Sequence, residues 1–268
     1  MSGYFSESSI IRRVHKERVV AFSGARALLM QAAHPVAFAG FFASTSAISD
    51  PYPRLERTAA VMNTIIFGSR AAADRATARV RRVHHRMSGT LPEQAGPFPP
   101  GTPWAADDPQ LLLWIIATLV DSSLLVYERY VNPLSADERQ EYWSEYRVVA
   151  ALFGLDDHQI PEPFEELQQY LQTMLASDQL YVSEQARELA IQIVLRPPIP
   201  FALRPVLELA NFITVGLLPR SLREDYGLHW DPILGIVHRG AGEYVRRVLV
   251  PLLPSQLRYN LDPPLVQR

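Results

Sequence analysis

The sequence predicts an all-α protein, and three observations lead there. Apolar residues recur at helical spacing along most of the 268 residues. Alternation of period two never lasts, and no Asn-Gly or Asp-Gly hairpin joins two β-rich runs. Proline, glycine and capping residues fall between the periodic segments, where helices start and stop. The expectation is about ten helices in one domain spanning 1–268.

The first helix is expected to be capped by Ser6 or Ser8 and to run through Val20. A second apolar segment covers Ala25–Ala33 and stops before Pro35, which places His34 at a helix junction. Asp50-Pro51-Tyr52-Pro53 reads as a cap with first-turn prolines, opening a helix that carries Arg54 and Thr58. Gly68 interrupts, and a further helix is expected over Ala71–Ser88. Leu91–Pro103 is rich in proline and glycine and reads as a loop internal to the domain.

Asp107-Asp108-Pro109 opens a long apolar helix to Tyr130. Ser135 and Glu138 form a capping box for a helix to Phe153, closed by Gly154. Further helices are expected at Phe164–Leu175, Ser183–Leu195, Pro205–Val215 and Ile233–Val250, with a proline break at Arg196–Pro200.

Composition excludes several classes. With 48% hydrophobic residues the chain has ample core material, so it is not intrinsically disordered. Its 26 basic and 28 acidic residues argue against a general nucleic-acid footprint. The absence of cysteine removes disulfides, iron–sulfur clusters and thiol nucleophiles, and suits a reducing cytoplasm. Residues 1–20 have no apolar run, so no secretory signal is expected. The most apolar stretch, Leu111–Val120, ends at Asp121 and reads as a buried helix rather than a membrane span. No phosphate loop, dinucleotide fingerprint, His-Glu-x-x-His or nucleophile elbow is present.

One segment offers cofactor chemistry. In Arg79-Val-Arg-Arg-Val-His84-His85, Val80, Arg81 and His84 share a helical face, and His85 is turned away by about 100°. A neutral imidazole on a rigid helix suits a single axial haem ligand, and nearby arginines suit haem propionates. The same residues would serve equally as a partly buried histidine on a solvated basic face. Asp121 follows an apolar run, where an unpaired carboxylate is expensive: it could anchor an arginine such as Arg54 or Arg81, or the free nitrogen of His84, and equally it could lie on a partly wet helix face.

The ordered series Gly24 to Pro35, Asp50-Pro-Tyr-Pro-Arg54-Leu-Glu-Arg57-Thr58, Phe67-Gly68, Arg79 to His84, Gly101 to Pro109, and Ala117 to Ser122 resembles the DUF2236 family. That is the MpaB-like and rubber-oxygenase catalytic-domain group. The resemblance implies a globin-like helical core holding one b-type haem, with His84 as the iron ligand; the reading of the residues adds Arg81 and Asp121 as cofactor-binding candidates beside it. The resemblance also implies that Arg54 and Thr58, of an Arg-x-x-x-Thr motif, act near the haem. Arg57 stands where some relatives carry a lysine that can approach the iron; an arginine, always protonated, cannot ligate it.

The rubber-cleaving branch uses a glutamate upstream of this motif. Val36–Pro53 contains none, which argues against polyisoprene as the substrate. His34 is a candidate distal donor or base, and equally a junction histidine bonded to backbone. The expected activity is oxygenation of a hydrophobic small molecule, terpenoid or lipid-like, by dioxygen. A haem-binding or gas-sensing protein without turnover, and a haem-free helical module for an apolar ligand, are the alternatives.

Overall fold

The computed structural model describes residues 3–43 and 51–261, with 263, 265 and 266. Over these residues the fold is all-α with one two-stranded ribbon. Before the ribbon lie α1 (Ile10–His15), α2 (Ser23–Ala32), α3 (Pro35–Phe42), α4 (Tyr52–Phe67) and α5 (Arg70–His84). The ribbon pairs β1 (Ser88–Thr90) with β2 (Pro103–Ala105). After it come α6 (Pro109–Tyr130), α7 (Ala136–Phe153), α8 (Phe164–Ala176) and α9 (Glu184–Ala190). Then come α10 (Arg204–Leu217), α11 (Arg220–Asp225) and α12 (Pro232–Tyr244), with short helical turns at Val250–Leu252 and Ser255–Arg258 after them. Both α9 and α12 continue through a π-helical turn, at Ile191–Leu195 and Val245–Leu249.

The core is built around α6. Asp108 starts it by accepting from the amides of Gln110 and Leu111, and Pro109 occupies the first turn, where a missing N–H costs nothing. Trp114, Ala117, Val120 and Val126 are fully buried on it. Helices α2, α3, α7, α8 and α12 pack around it. By length and composition α6 could cross a membrane, yet 61% of its most apolar window is buried inside the protein, which marks it as a core helix. The Ser135–Glu138 capping box forms as expected, and Gly154 ends α7 in the left-handed region at φ 109°, which favours glycine.

Three boundaries differ from the sequence reading. The first helix stops at His15 instead of running through Val20. Glu17 is extended and buried, and its carboxylate is gripped by Arg258 at 2.8 Å, so the chain turns there toward its far end. Ser9 occupies the N-cap, while Ser6 and Ser8 bond each other at 2.9 Å. The helix expected to reach Ser88 ends at His84, because the following backbone pairs with the far side of the proline-rich loop. Gly89 permits this: a Cβ there would lie 3.0 Å from the Trp104 ring. The expected Asp50 cap lies outside the described residues.

Candidate functional site

His84 closes α5. Ser69 starts this helix by accepting from the Ala72 amide, and its inner face buries Ala73, Ala76 and Thr77. One turn beyond Val80 the same face brings the His84 ring partly inside, where Nδ1 is buried and has no hydrogen-bond partner. Burial pushes the His84 pKa down; the positive Arg54 pushes the same way, and Asp107 opposes. The imidazole is therefore held neutral. The adjacent His85 is mostly exposed and bonds Asp107 through Nδ1 at 3.0 Å. Of the two neighbouring histidines, only His84 presents an unused nitrogen to the interior.

Arg54 comes from the first turn of α4 and is half-buried. Its guanidinium lies over the Phe41 ring, 4.7 Å from the centroid. Phe41 in turn stacks on Phe38 at 4.8 Å. No carboxylate pairs with Arg54 among the described residues. Its pKa is pushed down, first by burial and then by Arg57. His84, Arg54 and Phe41 thus form one half-buried group from three helices.

The other candidate residues lie elsewhere or are already engaged. Thr58 is exposed, and its hydroxyl donates to the Arg54 carbonyl at 3.0 Å within its own helix. Arg57 and Arg81 are exposed, and Arg81 packs its Cδ near Gly154 at the end of α7. Asp121 does not pair with Arg54, Arg81 or His84. It binds Arg26 at 2.7 Å, because α6 packs face to face with α2 and brings those two side chains together. Arg26 also donates to the Ser122 hydroxyl at 2.7 Å and to the Leu217 carbonyl at 2.8 Å.

His34 is a helix cap. Its Nδ1 accepts from the Ala37 amide at 3.3 Å, and the Gln179 side chain bonds the ring as well. Phe98, from the proline-rich loop, stacks on it at 5.6 Å. Burial pulls its pKa down to about 4. A ring so engaged serves the α2–α3 junction and has no free nitrogen for a distal donor or base. Sequence reasoning missed Phe41 and Asp107, which only the packing of α3 and of the chain before α6 brings near Arg54 and His84. It also missed Arg26, which no motif marks.

Two cavities, of about 590 and about 460 Å³, are lined by residues other than His84 and Arg54. Among the described residues no group of three or more His, Asp or Glu side chains could hold a metal ion. A metal at His84 would therefore have to bring most of its own ligands.

These features describe a helical frame in which an open imidazole stands near a cation that has no carboxylate partner among the described residues. Residues 12–262 match the family described as ER-bound oxygenase mpaB/B'/rubber oxygenase, catalytic domain. The chain belongs to that family, and the match covers nearly all of it. No curated protein and no solved structure matches the chain.

Proposed function

We propose that this protein is a haem-b-dependent oxygenase acting on a hydrophobic small molecule, with His84 as the residue that would hold the iron. The observation that carries the reading is the buried, partnerless Nδ1 of an imidazole kept neutral by its surroundings. A buried ring nitrogen without a partner is uncommon in proteins and calls for a ligand or a cofactor. A tetrapyrrole fits the donor set, because it supplies four nitrogens itself and asks one residue of the protein. Membership of an oxygenase family supports the reaction class.

A bound haem would supply the redox chemistry at dioxygen. The chain's own residues would do the rest. His84 would offer a lone pair that no protein donor uses. Arg54, held on Phe41 and without a carboxylate partner among the described residues, would attract a propionate or the negative charge that develops on oxygen, an interaction worth most in a dry site. Phe38 and Phe41 would exclude water and favour an apolar substrate. Thr58 is left out of this assignment, since its proton is committed to a backbone carbonyl.

The visible spectrum of protein reconstituted with hemin tests the reading. A Soret band is expected, retained in His85→Ala and lost in His84→Ala. No band in the parent protein, or an unchanged band in His84→Ala, overturns it. Oxygen consumption with terpenoid and lipid substrates then reports turnover.

A further inference from the structure

The cavity of about 460 Å³ between α6, α10 and α12 holds chemistry independent of His84. Its wall carries the guanidiniums of Arg129, Arg223, Arg239 and Arg246 and the carboxylates of Glu128 and Glu243. Both carboxylates are taken. Arg139 binds Glu128 at 2.6 Å, and Arg246 and Arg247 each bind Glu243 at 2.8 Å. Arg223 donates from Nη1 to the carbonyls of Val215, Gly216 and Leu218, and sits 5.4 Å from the Trp230 ring centroid.

Arg129 and Arg239 are left over. Neither has an ion pair or hydrogen bond among the described residues, and Nε of Arg129 is buried without a partner. Arg129 passes into the cavity beside Gly242, where a Cβ would stand 3.0 Å from that Nε. His238 cannot supply the missing counter-charge. Its ring is buried, meets the Tyr130 hydroxyl at 3.0 Å, and is kept neutral by burial and by the surrounding guanidiniums.

Arg129 is half-buried with its Nε shut off from water and unbonded, and exposed Arg239 stands on the same wall, so the wall is organised for an anion. We propose that the cavity binds a phosphate monoester, with Arg129 and Arg239 as its counter-charges and Trp230 as the wall against its organic part. Among the described residues Arg129 and Arg239 are unpaired, Arg223 is held only by carbonyls and Glu243 is shared by two arginines, so the wall keeps an excess of positive charge that suits the charge of about −1.5 to −2 on such a phosphate better than that of a single carboxylate. Guanidinium forks also suit phosphate oxygens geometrically. The phosphate could belong to a soluble metabolite or to the head group of an acidic lipid, two sources that share this chemistry.

The test uses phenyl phosphate as the soluble probe, phenol as its neutral control, and phosphatidylcholine vesicles with and without phosphatidic acid. Calorimetry reads phenyl phosphate, and co-sedimentation reads the vesicles. Trp230 fluorescence is a second readout, since Trp104, Trp114 and Trp143 are buried. Binding of phenyl phosphate but not phenol is expected, weakened at least about tenfold in Arg239→Ala, the size of one lost charge-assisted bond. Arg239 is exposed, so this variant should fold. Gly242→Ala, which obstructs Arg129, should weaken binding similarly, and Arg220→Ala, outside the cavity, should not. Binding only to vesicles with phosphatidic acid, lost in the same variants, supports the site and assigns the lipid source. No binding to either probe, or equal binding by Arg239→Ala and parent, overturns the proposal.

Discussion

Arg26 and Arg54 stand in contrasting parts of the same helical frame. Arg26, almost wholly buried between α2 and α6, has a carboxylate, a hydroxyl and a backbone carbonyl around it. Arg54, half-buried between α3 and α4, has an aromatic face and a neutral histidine nearby, and no carboxylate partner among the described residues. The first arrangement is complete within the chain and reads as structure. Among the described residues the second leaves a cation without a carboxylate and an imidazole nitrogen without a partner, the opening that the proposed haem would fill.

The sharpest way to break this contrast is at His84. Haem occupancy measured by the Soret band should fall to near zero in His84→Ala and stay at the parental level in His85→Ala, whose side chain is exposed and bonded to Asp107. Equal loss in both variants would mean that the partnerless nitrogen is incidental.

Arg26→Ala tests the closed half. It strands Asp121 and the Leu217 carbonyl, and should cost about 3 kcal/mol in denaturant unfolding, less than the upper range because Asp121 is partly wet. Arg54→Gln should do the reverse. It should change stability by less than about 1 kcal/mol, yet lower turnover of reconstituted enzyme about tenfold or more, the size expected for one donor lost from developing charge. A large stability loss in Arg54→Gln would place Arg54 with Arg26 as a structural residue.

Acid sharpens the comparison from a third side. His15, His34 and His238 are each pulled by burial from an ordinary 6.5 down to about 4. Between those values the unfolded chain binds protons that the folded one refuses. Stability is therefore fully present above pH 6.5 and is lost as pH falls toward 4, by at most about 1.4 kcal/mol per unit for each ring. Unfolding curves at pH 7.5 and 5.0 should show this loss, and His34→Asn, which removes one refusing ring, should reduce the slope. The smallest effect is expected at Thr58. Thr58→Val removes an exposed hydroxyl bonded within its own helix, so stability should move by less than about 0.5 kcal/mol and haem occupancy should not change.

The helical class was legible because apolar spacing and caps act locally. Asp108, Ser135 and Gly154 do what their positions imply. The ribbon was not legible, because β1 and β2 are three residues each and owe their pairing to Trp104 packing on Gly89. Glu17 shows the same limit: its partner Arg258 lies 241 positions away, and only the fold brings it close enough to end the first helix. Within the site, the inward turn of His84 followed from helical geometry. The partner of Asp121 did not, since several arginines were equally plausible until α2 met α6. His34 could be placed at its junction from Pro35 alone, but its engagement by Ala37 and Gln179 needed the packed structure.

The 22-residue span of α6 also bears on how this protein is made. Its rod of about 33 Å leaves the ribosome with α2 already synthesised but with α7, α8 and α12 still to come. During that interval the flanks destined for those later helices are bare to solvent or to any nearby bilayer. The nascent chain thus passes through a stage at which chaperones and membrane-insertion machinery see the same signal. Prompt arrival of α7, joined to α6 by a short connection, is what hides it.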